Sequence, residues 1–133
     1  MTNSKKSVKS VTFEQVQESI MQHVRARKWD QANTSRGLAI SMSLEANELL
    51  EYFQWDEESF GSTEDMASEL ADIFIYMVQF ADKNGIDLLT SVLEKIRKIS
   101  KKYPVEIFEI ADKNERNKVW LETKRNYKKD TTL

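Results

Sequence analysis

The sequence predicts an all-α fold, and three observations carry that prediction. The 133-residue chain holds one proline and three glycines, so little interrupts it. Val, Ile and Thr never alternate with polar residues over a useful length, which argues against half-buried strands. Apolar residues recur instead at three- and four-residue spacing, the period of an amphipathic helix.

The first helix is expected from about Phe13 to Lys28, with Phe13, Val16, Ile20 and Val24 as its apolar stripe. Thr12 is suited to cap it, and Gln15 three residues on completes a capping box. The linker RKWDQANTSRG follows. A second helix is expected from roughly Leu38 to Trp55, closed by the loop DEESFGST. Ser62 or Thr63 then caps a third helix that continues to about Lys83, where Asn84-Gly85 supplies a left-handed stop. Asp87 caps a fourth, with Leu89, Val92, Leu93 and Ile96 at helical spacing, and Pro104 ends it. A further helix is expected around Asn114 to Tyr127.

Four helices with short connections suggest an antiparallel four-helix bundle. On the third helix Met66, Leu70, Ile73, Phe74, Ile75, Met77, Val78, Phe80 and Ala81 cover most of the circumference. A small bundle cannot bury a helix on nearly all sides. The expectation is therefore a core completed by homo-oligomerisation. The chain divides into a basic N-terminal tail over residues 1–11, a helical domain over 12–104 and a C-terminal extension over 105–133.

Composition excludes several classes. The net charge is −2, which does not support a dedicated nucleic-acid binder. The basic runs KKSVK and KRNYKK are short and terminal, as solvated tails are. No cysteine is present, which removes disulfides and thiolate metal sites. The most apolar run, IFIYMVQFA, is short and interrupted by Gln79, so no membrane span is expected. No secretory signal is read at the start, and the expected location is cytoplasmic.

The chemistry-bearing residues are carboxylates. Asp65, Glu69, Asp72 and Tyr76 share a face of the third helix, at steps of four, three and four. On the second helix Ser41, Glu45, Glu48, Tyr52 and Trp55 lie along one side, flanked by Met42, Leu49 and Phe53 on one edge and by Ile40 and Leu44 on the other. A lone Glu-x-x-Glu is ordinarily a solvated feature. Two acidic pairs on neighbouring helices are different, because antiparallel folding would bring Glu45, Glu48, Glu69 and Asp72 face to face. Such a cluster repels itself and raises the pKa values of its members. A hard divalent cation relieves the repulsion. Oxygen ligands suit Mg²⁺ or Mn²⁺, and Mg²⁺ commonly completes its shell with water and substrate phosphates.

The stretches EANELLEYFQW, ELADIFIYMVQFADKNGIDL and K-x-x-x-x-x-x-KYP resemble the MazG-type all-α nucleoside triphosphate pyrophosphohydrolases. The resemblance is nearest to the compact branch that includes the dCTP pyrophosphatases, and covers roughly Arg27 to Pro104. It implies that Glu45, Glu48, Glu69 and Asp72 hold Mg²⁺ on a triphosphate, and that water attacks the α-phosphorus to give a nucleoside monophosphate and pyrophosphate. It implies a homodimer or homotetramer with substrate pockets at subunit contacts. Trp29, Trp55 and Tyr76 fall at substrate-contacting positions, and Lys95 where relatives carry a lysine able to reach phosphates. Glu51 is a candidate base that turns away from the Glu45–Glu48 stripe. His23 reads as a surface or boundary residue. The chain departs from the dCTP-specific pattern at Asn33, where a histidine stands in relatives, and at Gly37 and Ile99, where asparagines do. The alternative to an enzyme is a non-catalytic nucleotide- or partner-binding helical module of the same fold.

Overall fold

The structure is a computed structural model that describes residues 10–130, without the side chains of residues 129 and 130. Apart from residues 10 and 11, the expected basic tail lies outside the described residues. Among the described residues the regular elements are all helical: α1 (Phe13–Ala26), α2 (Trp29–Ala32), α3 (Ser35–Glu51), α4 (Thr63–Lys83), α5 (Leu88–Lys102), a 3₁₀ segment (Val105–Glu109) and α6 (Lys113–Asp130). They form two compact units, one up to Ile86 and one from Asp87 onward. Of the four expected bundle helices, three lie in the first unit and the fourth, α5, belongs to the second.

Local chemistry sets most of the boundaries. Thr12 caps α1, and its side chain and that of Gln15 each accept from the other's backbone N–H. Ser62 and Asp65 make the same reciprocal pair at the start of α4. Asp87 caps α5 by accepting from the Thr90 N–H at 3.0 Å. Gly85 stops α4 with φ 64°, a conformation a side chain would resist.

Three boundaries differ from expectation. First, α1 ends at Ala26 rather than Lys28, because Lys28 turns left-handed at φ 59° and starts the single turn α2 inside the expected linker. Second, α3 begins at Ser35, three residues early, because Thr34 caps it through the Gly37 N–H. Third, α3 ends at Glu51, with Tyr52 as its C-cap, so Trp55 stands in the loop and not on the helical stripe. The final helix is longer than expected and is preceded by the 3₁₀ segment.

In the first unit, α3 and α4 form an antiparallel hairpin. The Ser35 Oγ–Asn84 Oδ1 bond joins the start of α3 to the end of α4, while Tyr52 Oη bonds Glu69 at the opposite end. α1 packs against α4 through an edge-on Phe13–Phe74 contact and the Arg25–Asp82 ion pair at 3.0 Å. Lys83 Nζ donates to the Asp30 carbonyl and fixes α2 beside α4. The buried apolar residues here are Met21, Val24, Leu38, Val78 and Ala81. The expected all-round burial of α4 does not occur within one chain, since Leu70 stays 56% and Ile75 37% exposed.

In the second unit, Trp120 of α6 stacks on Tyr103, and Lys124 lies over the Trp120 ring. Lys102 caps this group from above the rings of Tyr103 and Tyr127.

The cap bonds give a signed pH dependence. Backbone and side-chain bonds from Thr90 hold the Asp87 carboxyl below its ordinary value of 3.8. A depressed carboxyl contributes stability that is present above the ordinary value and lost as pH falls through the folded one. Asp87→Ala should therefore lower the thermal midpoint at neutral pH, with the difference from wild type closing in strong acid. Ser62→Ala should cost about 1 kcal/mol, read by denaturant melts.

Candidate metal centre and adjoining cavity

The α3–α4 hairpin carries the acidic residues to a common place. Carboxylate oxygens of Glu45, Glu48 and Glu69 lie within 4.8 Å of one another. Glu45 and Glu48 are one turn apart on α3, and Glu69 faces them from α4. The Glu45 carboxyl is pushed above its ordinary 4.5, first by burial and then by the charges of Glu48, Asp72 and Glu69. No salt bridge to a basic side chain reaches Glu45, Glu48 or Glu69 among the described residues. Asp72 stands outside the three-carboxylate group, although its charge acts on Glu45.

Tyr52 orients one member of the cluster by donating from Oη to Glu69 at 3.2 Å. Its own ring is fixed by close packing. A Cβ at Gly61 would lie 2.5 Å from Tyr52 Cδ1, so only glycine permits this approach. Phe60 meets the ring edge-on, and its N–H donates to the Tyr52 carbonyl. Burial and the bond to Glu69 push the Tyr52 hydroxyl pKa upward, which keeps it a donor.

A cavity of about 700 Å³ adjoins the cluster in the first unit. That size falls within the usual range of small-molecule sites. Asp72 and Ser41 line it beside the acids, and Trp29, Tyr76, Asn33 and Gln79 line it further on. The apolar stripe expected to bury α1 partly serves as cavity wall, through Val16, Ile20 and Val24. Trp29 is held by the Arg27 guanidinium 5.6 Å above its ring and by an edge-on His23.

Of the expected site residues, the structure brings together Glu45, Glu48 and Glu69, and it places Asp72, Tyr76 and Trp29 on the adjoining cavity. Glu51 is exposed at the end of α3 and outside the carboxylate group. Trp55 is 82% exposed in the loop and lines a shallow surface with Phe53 and Asp56, not the cavity. Lys95 is exposed on α5 in the second unit. Sequence reasoning did not name His23, Asn33 or Gln79 as cavity residues. Two signals were available: Asn33 departs from the pattern of the dCTP-specific relatives, and Gln79 is a polar residue in the most apolar run of the chain.

The donor set suits a hard divalent cation: oxygen ligands only, net negative, and mutually repelling. Adding Mn²⁺ should raise the thermal midpoint of the wild type and leave Glu45→Gln unmoved. Without cation, Glu45→Gln should melt above the wild type at neutral pH, because it removes a carboxylate that the fold holds against its preference. Tyr52→Phe should weaken cation binding about tenfold in calorimetry, since it frees Glu69.

Comparison with known proteins agrees with this geometry. Residues 40–117 match the MazG-like family. The chain is 34% identical over 104 residues to dCTP pyrophosphatase 1 of Bos taurus, covering 72% of this chain and 62% of the relative. The protein of the same name from Homo sapiens is 27% identical over 104 residues, covering 72% of this chain and 61% of that relative. The chain thus spans less than two thirds of the length of these relatives. Among solved structures, that of a pyrophosphatase from Archaeoglobus fulgidus superposes with a TM-score of 0.62 at 31% identity, covering 68% of this chain and 91% of that one.

Proposed function

The chain belongs to the MazG-like family, and from that premise we propose that it is a nucleoside triphosphate pyrophosphohydrolase dependent on Mg²⁺ or Mn²⁺. It converts a (d)NTP to (d)NMP and pyrophosphate and so clears canonical or damaged nucleotides from the cytoplasmic pool. The observation that supports this reading most is the mutual approach of Glu45, Glu48 and Glu69 beside an open cavity. Relatives named as dCTP pyrophosphatases and a pyrophosphatase of known structure support the reaction class.

In this reading Glu45, Glu48, Glu69 and Asp72 hold the cation. Bound there, it supplies charge neutralisation for the phosphates and a lowered pKa for a coordinated water. The chain's own residues do the rest. Phosphoryl transfer needs in-line positioning and charge compensation more than covalent help. Trp29 and Tyr76 receive the base and sugar in the cavity, which directs the triphosphate toward the acidic end. Tyr52 keeps Glu69 turned inward. Glu51, at the C-terminal end of α3, is the candidate to take the proton from the attacking water. Attack at the α-phosphorus breaks the bond to the bridging oxygen, and pyrophosphate leaves.

A second copy of the chain completes the assembly as a homodimer or homotetramer, and the four-helix bundle closes across that contact. The exposed Leu70, Ile75 and Trp55 are the apolar surfaces that such a copy would cover. No helix among the described residues is long and apolar enough to cross a membrane.

Incubation with a dNTP panel and Mg²⁺ should release pyrophosphate. Orthophosphate as the sole product would overturn the reaction type, and Mg²⁺-dependent nucleotide binding without turnover would favour a non-catalytic module. Glu48→Gln and Asp72→Asn should abolish turnover with helicity retained by circular dichroism; wild-type rates in both would remove the metal assignment. Light scattering should return at least twice the chain mass.

A further inference from the structure

We propose that Asn33 and Gln79 together read the nucleobase: Gln79 donates from Nε2 to an acceptor on the base edge, and Asn33 holds Gln79 in that orientation. This rests on the functional reading above and deepens it by assigning the residues that choose the substrate.

Gln79 is only 5% exposed, and it is the buried polar residue of the described chain. A buried primary amide is costly unless its hydrogen-bonding groups are met. One of them is met, since Asn33 Nδ2 donates to Gln79 Oε1 at 3.0 Å. No acceptor among the described residues takes a hydrogen from Gln79 Nε2. Nor is that nitrogen sealed away, because Asp30 Oδ1 is the one fully enclosed side-chain polar atom without a partner among the described residues. Gln79 Nε2 is therefore an unmet donor that is not fully enclosed, and both amides line the cavity that adjoins the carboxylates as well as a smaller one shared with Asp30, Asp82 and Lys83. A leucine or methionine would fill the same volume without that cost. A ligand that accepts from Nε2 accounts for the amide.

The placement suits a base and not a phosphate. Asp72, Tyr76 and Gln79 follow at steps of four and three, so they share one face of α4. Seven residues of helix separate the acidic end from the amide by about 10 Å. The same cavity is lined by Val16, Ile20, Trp29 and Tyr76 beside the polar Ser19 and His23, and its apolar and aromatic faces suit a flat ring. Gln79 presents its donor because its oxygen is already engaged, and Asn33 keeps Oδ1 free as an acceptor. Paired amide groups of this kind are how Asn and Gln match a base edge that sets an acceptor beside a donor. The pair is formed across 46 residues of sequence by the packing of the linker after α2 against α4.

The test compares kcat/KM of the full chain with Mg²⁺ for the four common dNTPs. Gln79→Glu keeps an oxygen for Asn33 and replaces the donor with an acceptor; Asn33→Ala leaves Gln79 in place and frees it to rotate. Thermal melts establish that each variant folds. The preference of the wild type for its best dNTP over the others should fall at least about tenfold in Gln79→Glu, and fall also in Asn33→Ala. A purely structural role lowers all four substrates alike, so unchanged ratios in the folded variants overturn the proposal. Should the wild type hydrolyse none of the four, the functional reading loses the common dNTPs as substrates while base reading is still testable by binding. Calorimetry with α,β-imido dNTP analogues and Mg²⁺ then decides: Kd ratios that shift in Gln79→Glu uphold base reading, and equal ratios or no wild-type binding overturn it.

Discussion

Everything in the first unit is arranged around the repulsion between carboxylates that α3 and α4 hold against each other. Left to themselves, three acidic groups with oxygens within 4.8 Å would move apart. The hairpin does not let them. Its two ends are tied, by Ser35 and Asn33 to the far end of α4 and by Tyr52 to Glu69 near its start. With both ends fixed, the acids keep their spacing, and burial together with the charges of Glu48, Asp72 and Glu69 pushes the Glu45 carboxyl upward. The tension is local and the restraint is distributed. A helix pair with only one tied end could splay and relieve it.

The same arrangement explains why the site has two chemically distinct ends. Along one face of α4 the side chains pass from Glu69 and Asp72 through Tyr76 to Gln79. Charge is concentrated where α3 also contributes acids. Beyond Asp72 the lining comes from α1, α2 and the first turns of α3, and it carries no carboxylate. A ligand with a highly charged group at one end and a neutral heterocycle at the other matches this gradient without any movement of the helices. A uniformly charged ligand would leave the apolar walls wet, and a uniformly apolar one would leave the acids uncompensated.

What was legible in the sequence follows the range of the interactions involved. Thr12, Ser62, Asp87 and Gly85 act within one to four residues, so their caps and stops could be read directly. Glu45, Glu48 and Glu69 were legible because helical spacing fixes their faces and a short connection fixes which helix opposes which. The start of α3 was not, because Gly37 is a poor helix former and marks a linker by propensity, while the Thr34 cap overrides it. The early end of α3 depends on the Tyr52 ring lying against Gly61, a contact between residues nine apart in an irregular loop. Trp55 consequently left the stripe that helical periodicity assigned to it. The cavity was the least legible feature. Asn33 and Gln79 meet because α2 docks on α4, and although the family resemblance marked Asn33 as a departure, no local pattern pairs it with Gln79.

The apolar face left open on α4 bears on how the acidic tension is sustained. Met21, Val24, Leu38, Val78 and Ala81 gather toward the end of the hairpin that holds the amide pair. At the acidic end the neighbouring Leu70 and Leu44 remain exposed, and so do Phe60 and Trp55 in the loop. Burial therefore stabilises the end that has least need of it, while the strained end is held within one chain by one hydroxyl and a packed ring. Two additions would correct that imbalance. One is apolar cover from another molecule over Leu44, Leu70 and the loop. The other is a cation among the carboxylates, whose binding free energy adds directly to the stability of the folded state. Both act at the same end of α4, so each favours the geometry the other requires. Assembly and cation binding would then be thermodynamically linked, with the reciprocity that any such coupling must show.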